Sequence, residues 1–196
     1  RRSNKGGIEI VSIEHLYRVK RTPTRAIILG AGFVGQSAAQ KLSACGWDTV
    51  GLRSKDLDLL AENAEDRLAD IVAPEDVLVV VSAQAPVKDR QMLSDNLRMI
   101  EPVARIVEPK ILSHFVYVSS DAVYKDSSGL LNEESCAEPA SLHGIMHLSR
   151  EIIMKEACND IPLVIVRPSL LYGKNDPHNG YGPNRFWRLA KAGEPI

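Results

Sequence analysis

The stretch Ile28–Gln36, "ILGAGFVGQ", decides how the rest of this sequence is read. It holds the pattern G-x-G-x-x-G at Gly30, Gly32 and Gly35. In such a loop the first glycine permits a tight turn, the second lets the backbone approach a pyrophosphate, and the third lets the helix pack on the strand. The neighbours supply the setting the pattern needs. An apolar run, "AIILG", precedes it, a helical stretch from Phe33 to Ala44 follows, and a second short strand, "TVGL", comes next. This βαβ unit reads as a dinucleotide site in preference to a glycine-rich turn without a ligand.

Working outward, a helical pattern near Leu57–Ala69 precedes the strand "DVLVVVSA", and another from about Asp89 to Val107 precedes "HFVYVSS". A third, from about His143 to Ala157, leads to "PLVIVRPS". The strands "DVLVVVSA" and "HFVYVSS" each read as a continuous apolar run, the signature of a parallel sheet buried on both faces. Five strands alternating with helices predict a Rossmann-type, doubly wound α/β fold with helices on both faces. After Tyr172, glycine and proline become frequent in "YGKNDPHNGYGP", and a last helical piece, "NRFWRLAKAG", follows. The expected division is a leader or linker over 1–24, a nucleotide-binding domain over 25–173, and the start of a further lobe over 174–196. The chain begins without methionine and stops at "KAGEPI", which reads as a fragment.

Composition narrows the function classes. With 196 residues, 44% of them hydrophobic and 25% charged, the chain has ordinary globular content. A formal charge of −1 gives no electrostatic reason for a nucleic-acid or membrane partner, which leaves a small molecule as the expected ligand. No apolar run approaches the roughly 20 residues of a membrane span, and no signal-peptide pattern opens the chain. Cys45, Cys136 and Cys158 lack metal-ligand spacing and read as thiols in a reducing, cytoplasmic setting.

The second strand ends in "VGLRSKD". Where an NAD-binding fold offers a carboxylate to the ribose 2′-hydroxyl, this chain has Arg53, then Ser54 and Lys55. A cation with a hydroxyl suits a 2′-phosphate, so NADP is preferred, with NAD as the alternative. The competing reading is a solvated basic turn, with Asp56 or Asp58 supplying the acid if the strand ends later.

Four stretches in order, the glycine loop, "VSAQAP", "YVSSDAVY" and "VRPSLLYG", resemble the extended short-chain dehydrogenase/reductase family. That group comprises NAD(P)-dependent epimerases, dehydratases and reductases acting largely on nucleotide sugars. The resemblance covers residues 25 to about 196. It implies hydride transfer to or from a nucleotide sugar or similar carbonyl substrate, and a homodimer built on helices near 89–107 and 143–157. It implies cofactor contacts at Gly30, Gly32, Phe33, Val34, Gly35, Arg53 and Ser54, at Ser82, Ala83 and Gln84, and at Asn96, Ser119, Arg167 and Pro168. Ser120 falls at the position of the family's catalytic serine or threonine. The functional reading of Ser120 is preferred because the neighbouring motif residues agree; the alternative is that Ser119 and Ser120 merely satisfy backbone groups at a strand end.

The family's Tyr-x-x-x-Lys pair is replaced. The corresponding stretch is "HGIMH", with His143 at the tyrosine position and His147 at the lysine position. An imidazole can shuttle a proton near neutral pH, but it is shorter than a phenol, and a neutral histidine supplies less field than a lysine. The pair therefore reads as altered or impaired redox chemistry. A cofactor-binding protein without catalysis, structural or redox-sensing, is the rival. A metal site formed with Glu151 is disfavoured, because Gly144 stands where H-E-x-x-H has its glutamate. Two ordinary helix histidines are the plainest alternative.

Overall fold

The computed structural model describes residues 25–107, 109, 112–127, 129–173, 176 and 182–196. The leader expected over 1–24, and most of the glycine- and proline-rich stretch after Gly173, lie outside the described residues. Five strands, β1 (Arg25–Leu29), β2 (Asp48–Leu52), β3 (Val77–Val80), β4 (His114–Val118) and β5 (Leu163–Val166), alternate with α1 (Phe33–Ala44), α2 (Ala64–Ile71), α3 (Arg90–Val107) and α4 (Leu142–Ala157); α5 (Gly182–Ala192) follows. All the strand pairings are parallel, in the order β2-β1-β3-β4-β5. The chain therefore leaves β1 to one side for β2 and crosses back to the other for β3. A sheet that reverses in this way opens a crevice beyond the carboxyl ends of β1 and β3, where ligands of such folds bind.

Strand periodicity sorts the core. Ile27 and Leu29 of β1, Leu78 and Val80 of β3, and Phe115 and Tyr117 of β4 pack with Leu68 of α2, Ile100 and Val103 of α3, and Met154 of α4. On the opposite face α1 lies against β1, where a Cβ at Gly35 would stand 3.2 Å from Ile28 Cγ2. Arg25 closes the amino end of the sheet with a two-point ion pair to Asp76 beside β3, at 2.8 and 3.1 Å.

Two expectations are corrected. The helical stretch predicted from Leu57 begins only at Ala64. Aspartates divert the preceding backbone into turns: Asp56 Oδ2 accepts from the Arg53 amide and Asp58 Oδ1 from the Leu60 amide. Leu57 and Leu59 are both buried, a spacing of two that no helix face gives. Burial on both faces, expected for β3 and β4, holds at β3 and is partial at β4, where Phe115 and Tyr117 are buried and Val116 and Val118 half-buried; beyond them β5, an edge strand paired only with β4, leaves Val164 and Val166 47% and 43% exposed. Among the described residues, no helix is long and apolar enough to cross a membrane.

Candidate active site at the carboxyl end of the sheet

The glycine loop shows a different constraint at each glycine. Gly30 has φ of +92°, and a Cβ there would meet Ser82 N at 2.5 Å and Cα at 2.7 Å, so β1 and the loop after β3 touch backbone to backbone. At Gly35 a Cβ would run into the Gly30 carbonyl oxygen, which is why this turn of α1 closes onto the loop. At Gly32 nothing lies within 4 Å, leaving open approach to the backbone. No side chain caps α1, whose first-turn amides lack intrahelical acceptors and carry the positive end of the helix dipole. Phe33 and Val34, both half-buried, form that first turn. The Phe33 ring also borders Gly173 after β5, where a Cβ would stand 3.3 Å from it. A strongly polar, oxygen-bearing anion fits this cradle.

At the end of β2, Arg53 folds back over the loop: Nε donates to Ala31 O at 3.0 Å and Nη2 to Gln36 Oε1 at 3.4 Å. Ser54 is exposed beside it. After β3, the Ser82 amide donates to Leu29 O, and Ala83 and Gln84 continue along the cleft, half-buried. Asn96 of α3, fully buried, clamps Gln84 from below. Its Oδ1 accepts from Gln84 N at 2.9 Å, and its Nδ2 donates to Gln84 O at 3.0 Å and Met92 O at 2.8 Å.

Beyond β4 the two serines part company. Ser119 Oγ, buried, donates to Glu151 Oε1 at 2.6 Å. Ser120 Oγ accepts from the Ala122 amide at 3.1 Å, capping a short 3₁₀ turn at Asp121–Val123, and donates to Asp121 Oδ1 at 3.3 Å. That turn is pinned to α4 because Gly144 sits directly under the Ala122 carbonyl, leaving no room for a Cβ. Ser141 caps α4 by accepting from the Gly144 amide at 3.1 Å. Ser120 and His143 are thereby carried on two elements held in close contact.

The histidines are buried to different depths. His147, 5% exposed, shares a 2.9 Å hydrogen bond between its Nδ1 and the Tyr117 hydroxyl. Burial first, then His143 and Arg150, push its pKa down to about 3, so it is neutral at pH 7. His143, half-buried, meets His147 edge-on with ring centroids 4.7 Å apart. Its pKa is also lowered by burial, against the opposing charge of Asp121. Burial likewise raises the Tyr117 phenol to about 12, with the Arg150 charge opposing and Glu151 adding to it.

Arg167 and Glu151 form the site's strongest ion pair. Nε and Nη2 of Arg167 donate to Oε1 and Oε2 of Glu151 at 2.9 and 2.6 Å, while Nη1 donates to the Tyr124 hydroxyl at 2.7 Å. Burial alone would raise the Glu151 carboxyl, but Arg167 and Ser119 outweigh it and hold it below its ordinary value. Pro168 contributes its carbonyl to the Asp121 amide at 3.1 Å. Arg167, Pro168 and Ser119 thus join β5, α4 and the 3₁₀ turn, whereas the glycine loop, Arg53, Ser82–Gln84 and Ser120 follow the carboxyl ends of β1, β2, β3 and β4, with His143 in the first turn of α4. With Glu151 engaged this way, no group of three His, Cys, Asp or Glu is placed to hold a metal ion among the described residues.

Sequence reasoning missed Tyr117 and Arg150, and weighed Glu151 only as a metal ligand. The signal lay on α4, where His147, Arg150 and Glu151 interrupt the stripe that buries Met146 and Met154. A polar group on a buried helix face needs partners in the interior.

Residues 26–194 match the NAD dependent epimerase/dehydratase family. The chain belongs to this family. Among solved structures, this family member is similar to UDP-glucuronic acid 4-epimerase from Bacillus cereus in complex with NAD (20% identity, TM-score 0.73, covering 88% of this chain and 65% of that one). It is also similar to UDP-N-acetylglucosamine 4-epimerase from Bacillus cereus (23% identity, TM-score 0.73, 88% and 64%). A third similar structure is dTDP-4-dehydrorhamnose reductase from Bacillus anthracis str. Ames in complex with NADP (24% identity, TM-score 0.69, 87% and 61%). The chain therefore spans somewhat under two thirds of the length of these proteins, and at such identities the likeness is one of fold. No curated protein matches the sequence.

Proposed function

We propose that this chain binds NADP in the crevice between the glycine loop and the loop after β3, and that it belongs to an oxidoreductase or epimerase acting by hydride transfer on a nucleotide sugar or comparable carbonyl compound. The observation that carries the reading is the graded glycine loop: backbone contact at Gly30 and Gly35, and open space at Gly32 before an uncapped helix. Arg53 supports NADP over NAD, because it lies over that loop while Asp56 and Asp58 are committed to turns. On this reading residues 25–173 form the nucleotide domain and 174–196 begin the substrate lobe. The exposed Ile145 and Ile152 on the outer side of α4 suit pairing with a second copy.

When bound, the nicotinamide supplies or accepts the hydride. The chain's own residues would orient the substrate and handle the proton. Ser120 can keep its acceptance from Ala122 while turning its single donor from Asp121 to a substrate oxygen. His143, neutral at pH 7, is available there as a proton acceptor.

A second reading, cofactor binding without turnover, is favoured by the deep burial of neutral His147, which cannot supply a lysine's charge. Titration of the purified chain with NADPH and with NADH, following nicotinamide emission and quenching of Trp47 and Trp187, tests the shared part. Saturable binding that favours NADPH and loses that preference in Arg53→Ala is expected. Binding of neither nucleotide overturns both readings. Turnover that rises when His143→Tyr and His147→Lys are combined favours the enzyme; binding with turnover absent in both proteins favours the second.

A further inference from the structure

Gly144 and Ala122 bring two titratable residues side by side. A Cβ at Gly144 would stand 2.9 Å from the Ala122 carbonyl carbon and overlap its oxygen, so the first turn of α4 rests on the backbone of the 3₁₀ turn. Asp121 immediately precedes Ala122, and His143 immediately precedes Gly144. Both positions are fixed. The Asp121 amide donates to Pro168 O at 3.1 Å, its carbonyl accepts from Tyr124 N at 2.9 Å, and Ser141 caps α4 just before His143. The Asp121 side chain is exposed, and its Oδ1 accepts from the Ser120 hydroxyl at 3.3 Å, a long bond that leaves the carboxylate with acceptor capacity to spare.

His143 Nδ1 is buried without a hydrogen-bond partner, so the surrounding field, and not a bond at that nitrogen, sets the charge of the ring. Among the described residues, the titratable and charged groups that face it are Asp121 from the 3₁₀ turn and His147, edge-on along α4. Neighbouring groups are engaged elsewhere: Tyr117 and Arg150 face His147, and Arg167 closes on Glu151 and Tyr124. Because His147 is neutral, the field at His143 comes from Asp121, which opposes the loss of basicity that burial imposes.

A phenol binds its proton too tightly to release it near neutral pH and is helped by a neighbouring cation. A buried imidazole binds its proton too weakly and is helped by a neighbouring anion. We propose that Asp121 is the anionic partner of His143, a positioning residue through which this site pairs an imidazole with a carboxylate where the resemblance implies a phenol with an ammonium. This rests on the hydride-transfer reading above. When a substrate hydroxyl draws the Ser120 donor toward itself, Asp121 loses that hydrogen bond and its charge acts more fully on the ring. The substrate O–H bond then breaks and an N–H bond forms on His143, with the hydride of that reading leaving the adjoining carbon. The resulting imidazolium lies beside Asp121, and the reverse step returns the proton to oxygen.

The test follows the His143 ring by nitrogen NMR across pH in the purified parent chain, Asp121→Asn and Asp121→Glu, with thermal unfolding to establish that each is folded. Asparagine keeps an acceptor for Ser120 and removes the charge. In Asp121→Asn, His143 is expected to bind its proton about threefold more weakly, with Asp121→Glu close to the parent chain. Raising salt from about 0.02 to 0.5 M is expected to move His143 of the parent chain in the same direction, because the field of an exposed carboxylate is screened. A His143 titration unmoved in folded Asp121→Asn overturns the proposal, as does one indifferent to salt should that variant fail to fold. The titration is read without nucleotide or substrate, so a chain that shows no turnover loses the hydride-transfer reading while the pairing of Asp121 with His143 is still decided.

Discussion

The two ends of the crevice obey different rules. At the glycine loop, backbone geometry dictates the residue: a positive φ and a backbone contact at Gly30, a helix closing on a carbonyl at Gly35. At the start of α4, side-chain charge decides, and His143 and His147 bring two neutral imidazoles to a place where the resemblance implies a phenol and an ammonium. A site written in side-chain ionisation can change chemistry through two substitutions while Gly144, Ser141 and the 3₁₀ turn hold its frame unchanged.

The largest effect should come from breaking the backbone-determined end. Gly30→Ala combines left-handed strain with a backbone clash at Ser82, so a loss of roughly 2 kcal/mol or more is expected, a fall of about 4 °C or more in melting temperature, together with loss of nucleotide binding. Gly32→Ala separates the two consequences. With open space around it and no strained φ, it should melt within about 1 °C of the parent chain yet bind NADPH several-fold more weakly. Equal melting losses in both variants, read by calorimetry, would collapse the distinction.

A smaller effect sharpens the other end. His147, faced by Tyr117 from β4 and by His143 and Arg150 along α4, has a folded pKa near 3, below its unfolded value. The unfolded chain therefore binds the extra proton first, and stability is lost as pH falls from about 6.5 toward 3. The Glu151 carboxylate, held below its ordinary value by Arg167, joins only below about 4.5. Between about pH 6.5 and 5 the slope contributed by these groups belongs to the two histidines, and urea midpoints should show it flattened in His147→Asn.

Much of this was legible in the sequence, for reasons tied to each element. The strand, turn and helix around Gly30–Gly35 emerged from residue types that few other conformations require, and α4, expected from about His143, starts at Leu142. The late start of α2 was hidden because Leu57, Leu60, Ala61, Ala64 and Leu68 fall at helical spacing, and only the aspartate turns and the burial of Leu59 show that the first of them lie outside the helix. The exposure of β5 depends on what covers a sheet face, which an apolar run does not encode. Arg150 was passed over because a charged residue on a helix is ordinarily solvated, and only the packing of Tyr117, Met146 and Ser82 around it reveals a buried cation.

The central claim is that both helix-borne imidazoles are neutral at pH 7 and that His147 is locked into the interior. The most direct test is nitrogen NMR of the histidine rings of the labelled chain between about pH 8 and 5, with His143→Asn and His147→Asn used for assignment. The account predicts that His147 stays neutral throughout, its Nδ1 held in the Tyr117 hydrogen bond, and that His143 titrates below its ordinary value. A His147 ring that gains its proton near pH 6.5 would contradict it.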